Sequence, residues 1–317
     1  MLMKIFLIFT LLCSTLLAED LEFKNIYFLD KNLEISGLTT YKDNLIFISD
    51  NKEDQYIYQL KLKDSKTYLT DTFLKINTIK NFQEYYYSTL LSNKGGRWLK
   101  SPWDLEGIAL CGDTMYLANE QVREILSIDL NKKSLNVIPL NFQAAFAELG
   151  KAMEDIPTNA GFEGVTVDCE TQTLYIAQER NPRGIFVYNL KTNQYLGLIR
   201  TIEAKTNQVS PDYSDLFFYK KHLYVIERNE WKVLKINPST KKVVTEYSFE
   251  NNPVLNLRKL YKTDEPYGLA EALFINDEEV IIGIDNNNKP LSKRAEILFN
   301  FRGTSSSLIH FKKPKSM

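Results

Sequence analysis

The chain has 317 residues, 44% hydrophobic, 12% aromatic and 25% charged. That balance excludes a disordered tail, a collagen-like fibre and a multi-span membrane protein. With 39 Lys+Arg against 40 Asp+Glu the net charge is -1, so no global field draws in nucleic acid or an anionic membrane.

Met1–Lys4 carries one positive charge, Ile5–Leu17 is an apolar run, and Ala18 precedes the acidic Glu19-Asp20. This is the layout of a secretory signal peptide cleaved after Ala18. The run is too short to span a bilayer with ease, and Leu11-Leu12 before Cys13 are too bulky for a lipobox. The expected product is an exported protein, periplasmic or secreted, with residues 19–317 in one domain and no transmembrane span. Its two cysteines, Cys111 and Cys169, are either bonded or two buried thiols.

Five segments then repeat one shape: a small or acidic residue, a β-rich run, a polar turn, a second β-rich run and an acid. They are Ser36-Gly37-Leu38 to Asp50, Glu106-Gly107-Ile108 to Glu120, and Glu163-Gly164-Val165 to Glu179. Asp215-Leu216-Phe217 to Glu227 and Glu271-Ala272-Leu273 to Asp285 complete the set. Their starts lie 70, 57, 52 and 56 residues apart, and further β-rich runs follow each hairpin. Four strands per unit at such a period predict an all-β β-propeller; paired sandwiches would not explain the recurring acid-ended hairpin. A sixth blade, built from Ile297–Phe301, Leu308–Phe311 and Leu21–Leu29, would close the ring; five or seven blades are the alternatives.

Residues equidistant from a hairpin turn lie opposite each other. The midpoints of 36/50, 106/120, 163/179, 215/227 and 271/285 all fall on turns. Each pair should therefore sit side by side at one end of its blade, ringing the channel mouth. Crowded carboxylates need protons, basic partners or a metal. Calcium takes 6–8 oxygen ligands, and Asn51, Asn119, Gln178, Asn286 and Asn287 beside the acids offer neutral ones. The absence of a His/Cys cluster argues against zinc. Asp50, Glu120, Glu179, Asp215, Glu227 and Asp285 are the candidate metal ligands, and Glu106, Glu163 and Glu271 the candidate catalytic bases or ligands. A purely structural ring tying blade to blade is the alternative. Arg123, Arg180 and Arg228 are candidates for holding an anionic substrate, or for pairing with the next blade.

The long connections 78–104 and 139–162 should cap the same mouth. The first carries Tyr85-Tyr86-Tyr87, Gly95-Gly96-Arg97-Trp98 and Trp103, groups suited to a ligand. The second has Phe142, Ala145, Phe146, Leu149 and Met153 at helical spacing, a lid or a plug. Nucleophilic catalysis finds no Gly-x-Ser-x-Gly elbow or Ser-x-x-Lys box, and His222 falls on a turn far from the acids. Metal-activated water with a Glu or Asp base is the hydrolytic option.

Asp104-Leu-Glu-Gly-Ile-Ala109, Asn159-Ala-Gly-Phe-Glu-Gly-Val165, Tyr213-Ser-Asp-Leu216 with Val225-Ile-Glu-Arg228, and Ala270-Glu-Ala-Leu273 with Gly283-Ile-Asp-Asn-Asn287 resemble, in order, the phytase-like (esterase-like phytase) family of exported bacterial propellers. Glu271-Ala272 departs from that family's usual Glu-Gly. The resemblance implies a hydrolase of esters or phosphoesters. Calcium propellers more widely, gluconolactonase-like hydrolases among them, hold a channel-mouth metal by Glu, Asp and Asn. A non-catalytic binding or scaffold propeller at the cell envelope, contacting a protein partner, is the competing class.

Overall fold

The computed structural model describes residues 17–50, 55–91, 103–157, 159–180, 182–201, 212–250, 256–263 and 269–317. Most of the expected signal peptide, Asn51 and Gly95–Trp98 lie outside them. β1 (Leu17–Asp20) and β2 (Glu22–Leu29) come first. Blade one is β3 (Ile35–Tyr41), β4 (Asn44–Ser49), β5 (Tyr56–Leu62) and β6 (Thr67–Lys75), followed by helix α1 (Phe82–Leu91). Blade two is β7 (Leu105–Cys111), β8 (Thr114–Asn119), β9 (Glu124–Asp129) and β10 (Ser134–Val137), followed by α2 (Gln143–Leu149). Blade three is β11 (Phe162–Asp168), β12 (Thr173–Gln178), β13 (Gly184–Asn189) and β14 (Gln194–Ile199). Blade four is β15 (Tyr213–Tyr219), β16 (His222–Glu227), β17 (Lys232–Asn237) and β18 (Lys242–Ser248), with β1 added in parallel to its outer edge. Blade five is β19 (Ala270–Ile275), β20 (Glu279–Ile284), then, after α3 (Lys293–Phe299), β21 (Ser307–Lys312), with β2 as its fourth strand.

The described residues thus form five blades, and the expected sixth is corrected. β21 and β2 do pair with each other, but they pack onto β20 and finish blade five, closing the ring with strands from both chain ends. Ile297–Phe301, expected as a strand, falls largely in α3, whose first turn is capped by the Ser292 hydroxyl accepting from Ala295 N. The inner strands β3, β7, β11, β15 and β19 neighbour one another in turn, and β19 returns to β3.

Five hydrophobic clusters fill the five gaps. Ile46, Ile48 and Ile57 of blade one meet Ile108, Met115 and Leu117 of blade two, for example, and α1 adds Phe82 and Tyr85 there beside Trp103. Tyr85 and Trp103, offered by sequence as ligand groups, are therefore core. α2 packs Ala145, Phe146 and Leu149 over Phe162 and Phe186 between blades two and three, a plug in that gap; Met153 falls outside the helix and is exposed. No helix among the described residues is long and apolar enough to cross a membrane.

The hairpins turn where the sequence places them. Lys42-Asp43 and Lys220-Lys221 both adopt positive φ at two consecutive residues, the mirror-image turn that matches strand twist. The pairing above the turns differs from the symmetric expectation. Every inner strand slips register near its acid-bearing end: between Ile35 and Gly37, Leu105 and Gly107, Phe162 and Gly164, Tyr213 and Leu216, and Ala270 and Ala272. Ser36, Glu106, Glu163 and Glu271 are thus bulge residues without a cross-strand partner, and the expected 106/120-type pairs are not opposed. A bulge re-aims its side chain out of the sheet plane, and here it does so at the channel axis.

The glycine after the bulge lets neighbouring inner strands touch. A Cβ on Gly164 would stand 2.8 Å from Asp215 Cα, and one on Gly107 2.7 Å from Val165 N. Backbone on both sides cannot yield as a flexible side chain would. Gly164→Ala is expected to cost about 1–3 kcal/mol through overpacking, read as a lower urea midpoint at unchanged slope; an unmoved midpoint would refute the contact. At the opposite end of the channel Cys111 and Cys169 form a disulfide, Cα–Cα 5.6 Å, tying blade two to blade three. Of the two readings of these cysteines, the bonded one holds.

Candidate functional site

One hydrogen bond recurs in all five blades and fixes the mouth. The N–H just beyond the second strand donates to a carbonyl just before the first: Asp50 to Glu34, Glu120 to Asp104, Glu179 to Gly161, Arg228 to Asp212 and Asp285 to Leu269, at 2.8–3.0 Å. These five residues are structurally equivalent. Four are acids and the fourth blade supplies Arg228. Its neighbour Glu227, the sequence-based choice, is the last residue of β16 and lies opposite Tyr213. Glu227 therefore occupies the place of Asn119 and Gln178, one step along a strand and on its other face.

Around the mouth is a cavity of about 620 Å³. Asp50, Glu106, Glu120, Glu163, Glu179, Glu271 and Asp285 all line it, as do Arg180 and Arg228, so these sequence candidates do come together. Asp104, which precedes β7, is buried beside them, and Asp212 joins the lining. Sequence reading missed both, although each is an acid immediately before an inner strand. Carboxylate oxygens of Asp50, Asp104 and Glu106 all fall within 4.8 Å of one another, and so do those of Glu120, Glu163 and Glu179.

Such crowding raises proton affinity. Burial, then Asp50, Glu163, Glu120 and Asp104, push Glu106 well above the usual carboxylate range. Glu106 also accepts a hydrogen bond from the Ser36 hydroxyl. Burial and Glu120 push Glu163 up in the same way, partly offset by Arg228. Burial and Glu271 raise Asp285. Glu271 is raised by burial against the pull of Arg228, to which it is bonded at 2.5 Å.

Three candidates fall elsewhere. Asp215 accepts from Leu216 N and Leu273 N, both at 2.7 Å, and latches blade four to blade five. Glu227 is ion-paired with buried Arg183, a partner the sequence reading did not find. Arg123 donates to the Ile156 and Pro157 carbonyls at 2.8 and 2.6 Å, holding the approach to β11. None of the three lines the mouth cavity. Of the amides expected to supply neutral oxygens, Asn287 lines it, as does Asn159 from outside that set; Asn119 donates to Tyr85 Oη, Gln178 to Ala160 O and Asn286 to Thr304 O, and Asn51 lies outside the described residues.

The arginines of the mouth are engaged. Arg228 donates to Glu271, Glu179 and Asp212. Arg180 pairs with Glu179, lies 3.6 Å from Asp212 and donates to Asn159 O at 2.8 Å. An anion would have to displace carboxylates from either. A cation meets no such obstacle. The Oε2 of Glu179, a residue only 1% exposed, has no hydrogen-bond partner among the described residues, an orphan that costs free energy unless something positive meets it. The donors are hard oxygens with no His or Cys, a set that fits calcium rather than zinc.

A search of curated protein sequences returns no match. Among solved structures, the glutaminyl cyclase of Myxococcus xanthus aligns at TM-score 0.57 with 10% identity, covering 94% of this chain and 97% of its own. At that identity the likeness concerns the fold, which is propeller-like. The hydrazine synthase of Kuenenia stuttgartiensis aligns at TM-score 0.36 and 13% identity over 58% of this chain and 44% of its own, too weakly to bear on anything here. The profile described as "Phytase-like: Esterase-like activity of phytase" matches residues 33–233, from the first inner strand to the third strand of blade four. With its bulged Glu-Gly hairpins and acidic mouth, the chain belongs to the phytase-like family.

Proposed function

We propose that the mouth holds a divalent cation, Ca²⁺ by its all-oxygen donor set, and that the protein is an exported hydrolase of a small ester or phosphoester at that site. The observation that carries this reading is the buried, partnerless Oε2 of Glu179 within the Glu120/Glu163/Glu179 group. Those three residues would hold the ion, with Asp50, Asp104 and Glu106 beside it. When bound, such an ion polarises a carbonyl or phosphoryl oxygen and acidifies water. The chain supplies the proton chemistry. Glu106, raised above the ordinary range by burial and its acidic neighbours and hydrogen-bonded by Ser36, is the side chain placed to exchange a proton with the reacting oxygen. Glu271 is a weaker candidate for base than Glu106 or Glu163, because Arg228 holds it. Export rests on the Met1–Ala18 pattern; cleavage after Ala18 would leave Glu19-Asp20 of β1 paired to Tyr247-Ser248 of β18.

The test is turnover of p-nitrophenyl acetate, butyrate and phosphate with Ca²⁺ present. Glu106→Gln is expected to lower kcat by about 10²–10⁴ while the variant still binds Ca²⁺. A specific observation favours one competitor: Arg180 and Arg228 already neutralise part of the ring, as a structural ring would require. A scaffold propeller would bind Ca²⁺ and turn over none of the three compounds.

A further inference from the structure

The ring of equivalent positions is broken once, in blade four, by Arg228. We infer that Arg228 is a built-in cation of the mouth, filling the Glu179/Asp212/Glu271 side so that a divalent ion can be taken up only outside that side. The inference rests on the divalent-cation reading above and says which part of the ring accepts an ion.

Arg228 stands where Asp50, Glu120, Glu179 and Asp285 stand in the other blades, and its two terminal nitrogens reach three carboxylates. One nitrogen meets Glu271 of blade five at 2.5 Å; the other meets Glu179 of blade three and Asp212 at the entry to blade four. A planar guanidinium is suited to bridging carboxylates in this way. Glu179 marks the boundary. Its Oε1 is taken by Arg228 and Arg180, and its buried Oε2 has no partner. Glu120 and Glu163 lie within 4.8 Å of a Glu179 oxygen. A divalent ion on the arginine side would need Glu179, Asp212 and Glu271 together, and all three are already bonded to the Arg228 guanidinium.

Isothermal titration of the chelator-stripped protein with CaCl₂ reads this directly. Arg228→Met, which removes the cation bonded to Glu271, Glu179 and Asp212, should take one Ca²⁺ more than the wild type. The same number in both would overturn the inference and leave the cation reading standing. No ion in the wild type would remove the cation reading itself. Arg228→Met leaves its acids crowded, so a second pair of milder variants carries the test should it not fold. Glu120→Gln, on the open side, should weaken Ca²⁺ about tenfold or more. Glu271→Gln, on the arginine side, should leave affinity within about threefold. Equal losses from the two would show that Arg228 does not divide the ring.

Discussion

Arg183→Met is expected to destabilise the fold by about 3–5 kcal/mol, the usual result of leaving one partner of a buried ion pair alone. The Arg183 and Glu227 side chains are 3% and 5% exposed, so neither is screened by water as a surface pair would be. Arg183 also donates to the Thr201 hydroxyl at 3.2 Å and lies 4.6 Å over the Tyr213 ring, joining blade three to the innermost strand of blade four. Burial pushes Glu227 up, and Arg183 is what pulls it back. Without the arginine its folded value rises further. The sign follows: the unfolded chain releases the proton above the ordinary value of 4.5, the folded variant keeps it, and stability falls as pH rises. The deficit should therefore be largest near neutral pH and shrink toward pH about 4. Guanidinium unfolding at both pH values measures it, and Arg183→Met/Glu227→Gln should recover part of the loss. A deficit under about 1 kcal/mol, equal at both pH values, would mean the pair contributes no more than a surface one.

Glu227 also shows how far the sequence could be read. Turn residues and apolar alternation are local signals, so all five hairpins and their order were legible from Ser36, Glu106, Glu163, Asp215 and Glu271 onward. The bulge is not local. A slip of one residue leaves the alternation on either side intact, and its only trace is the glycine at 37, 107 and 164. In blade four Tyr213 faces Glu227 as Phe162 faces Gln178 in blade three, so Ser214, not Asp215, stands at the place of Glu163. Symmetric counting there selects Glu227 for the mouth, whereas the recurring hydrogen bond selects Arg228. Blade number failed for a related reason. β2 pairs with β21 from the far end of the chain, and nothing within either segment says which sheet the pair will join. The short apolar run Ile297–Phe301 fits strand or helix by periodicity alone, and the Ser292 cap lies just ahead of it. The acidic mouth was legible as a set of residues; its division between carboxylates and one arginine needed the register.

Calcium should raise the melting temperature, and the rise should depend on pH. At free Ca²⁺ a hundredfold above Kd, mass action adds about 2.7 kcal/mol, about 4 °C for a chain of this size. EDTA should reverse the shift, and Glu163→Gln should remove most of it. Without the ion, Glu106, Glu163 and Asp285 hold their protons above the ordinary carboxylate range because the mouth is buried and crowded. The unfolded chain releases the same protons near 4.5 for glutamate and 3.8 for aspartate. Between those values and the raised folded ones the folded state binds more protons, so stability of the ion-free protein falls as pH rises. An ion bound to these oxygens must displace the protons. Its increment should therefore be small near pH about 4.5 and grow toward neutrality, opposite in slope to the ion-free protein. Calorimetric melting at acid, intermediate and neutral pH, with Ca²⁺ and with EDTA, gives both slopes. An increment constant across pH would place the ion away from this ring, on carboxylates that are already ionised. No increment at any pH would leave Arg228 and Arg180 as the only cations the mouth holds, and make the ring structural.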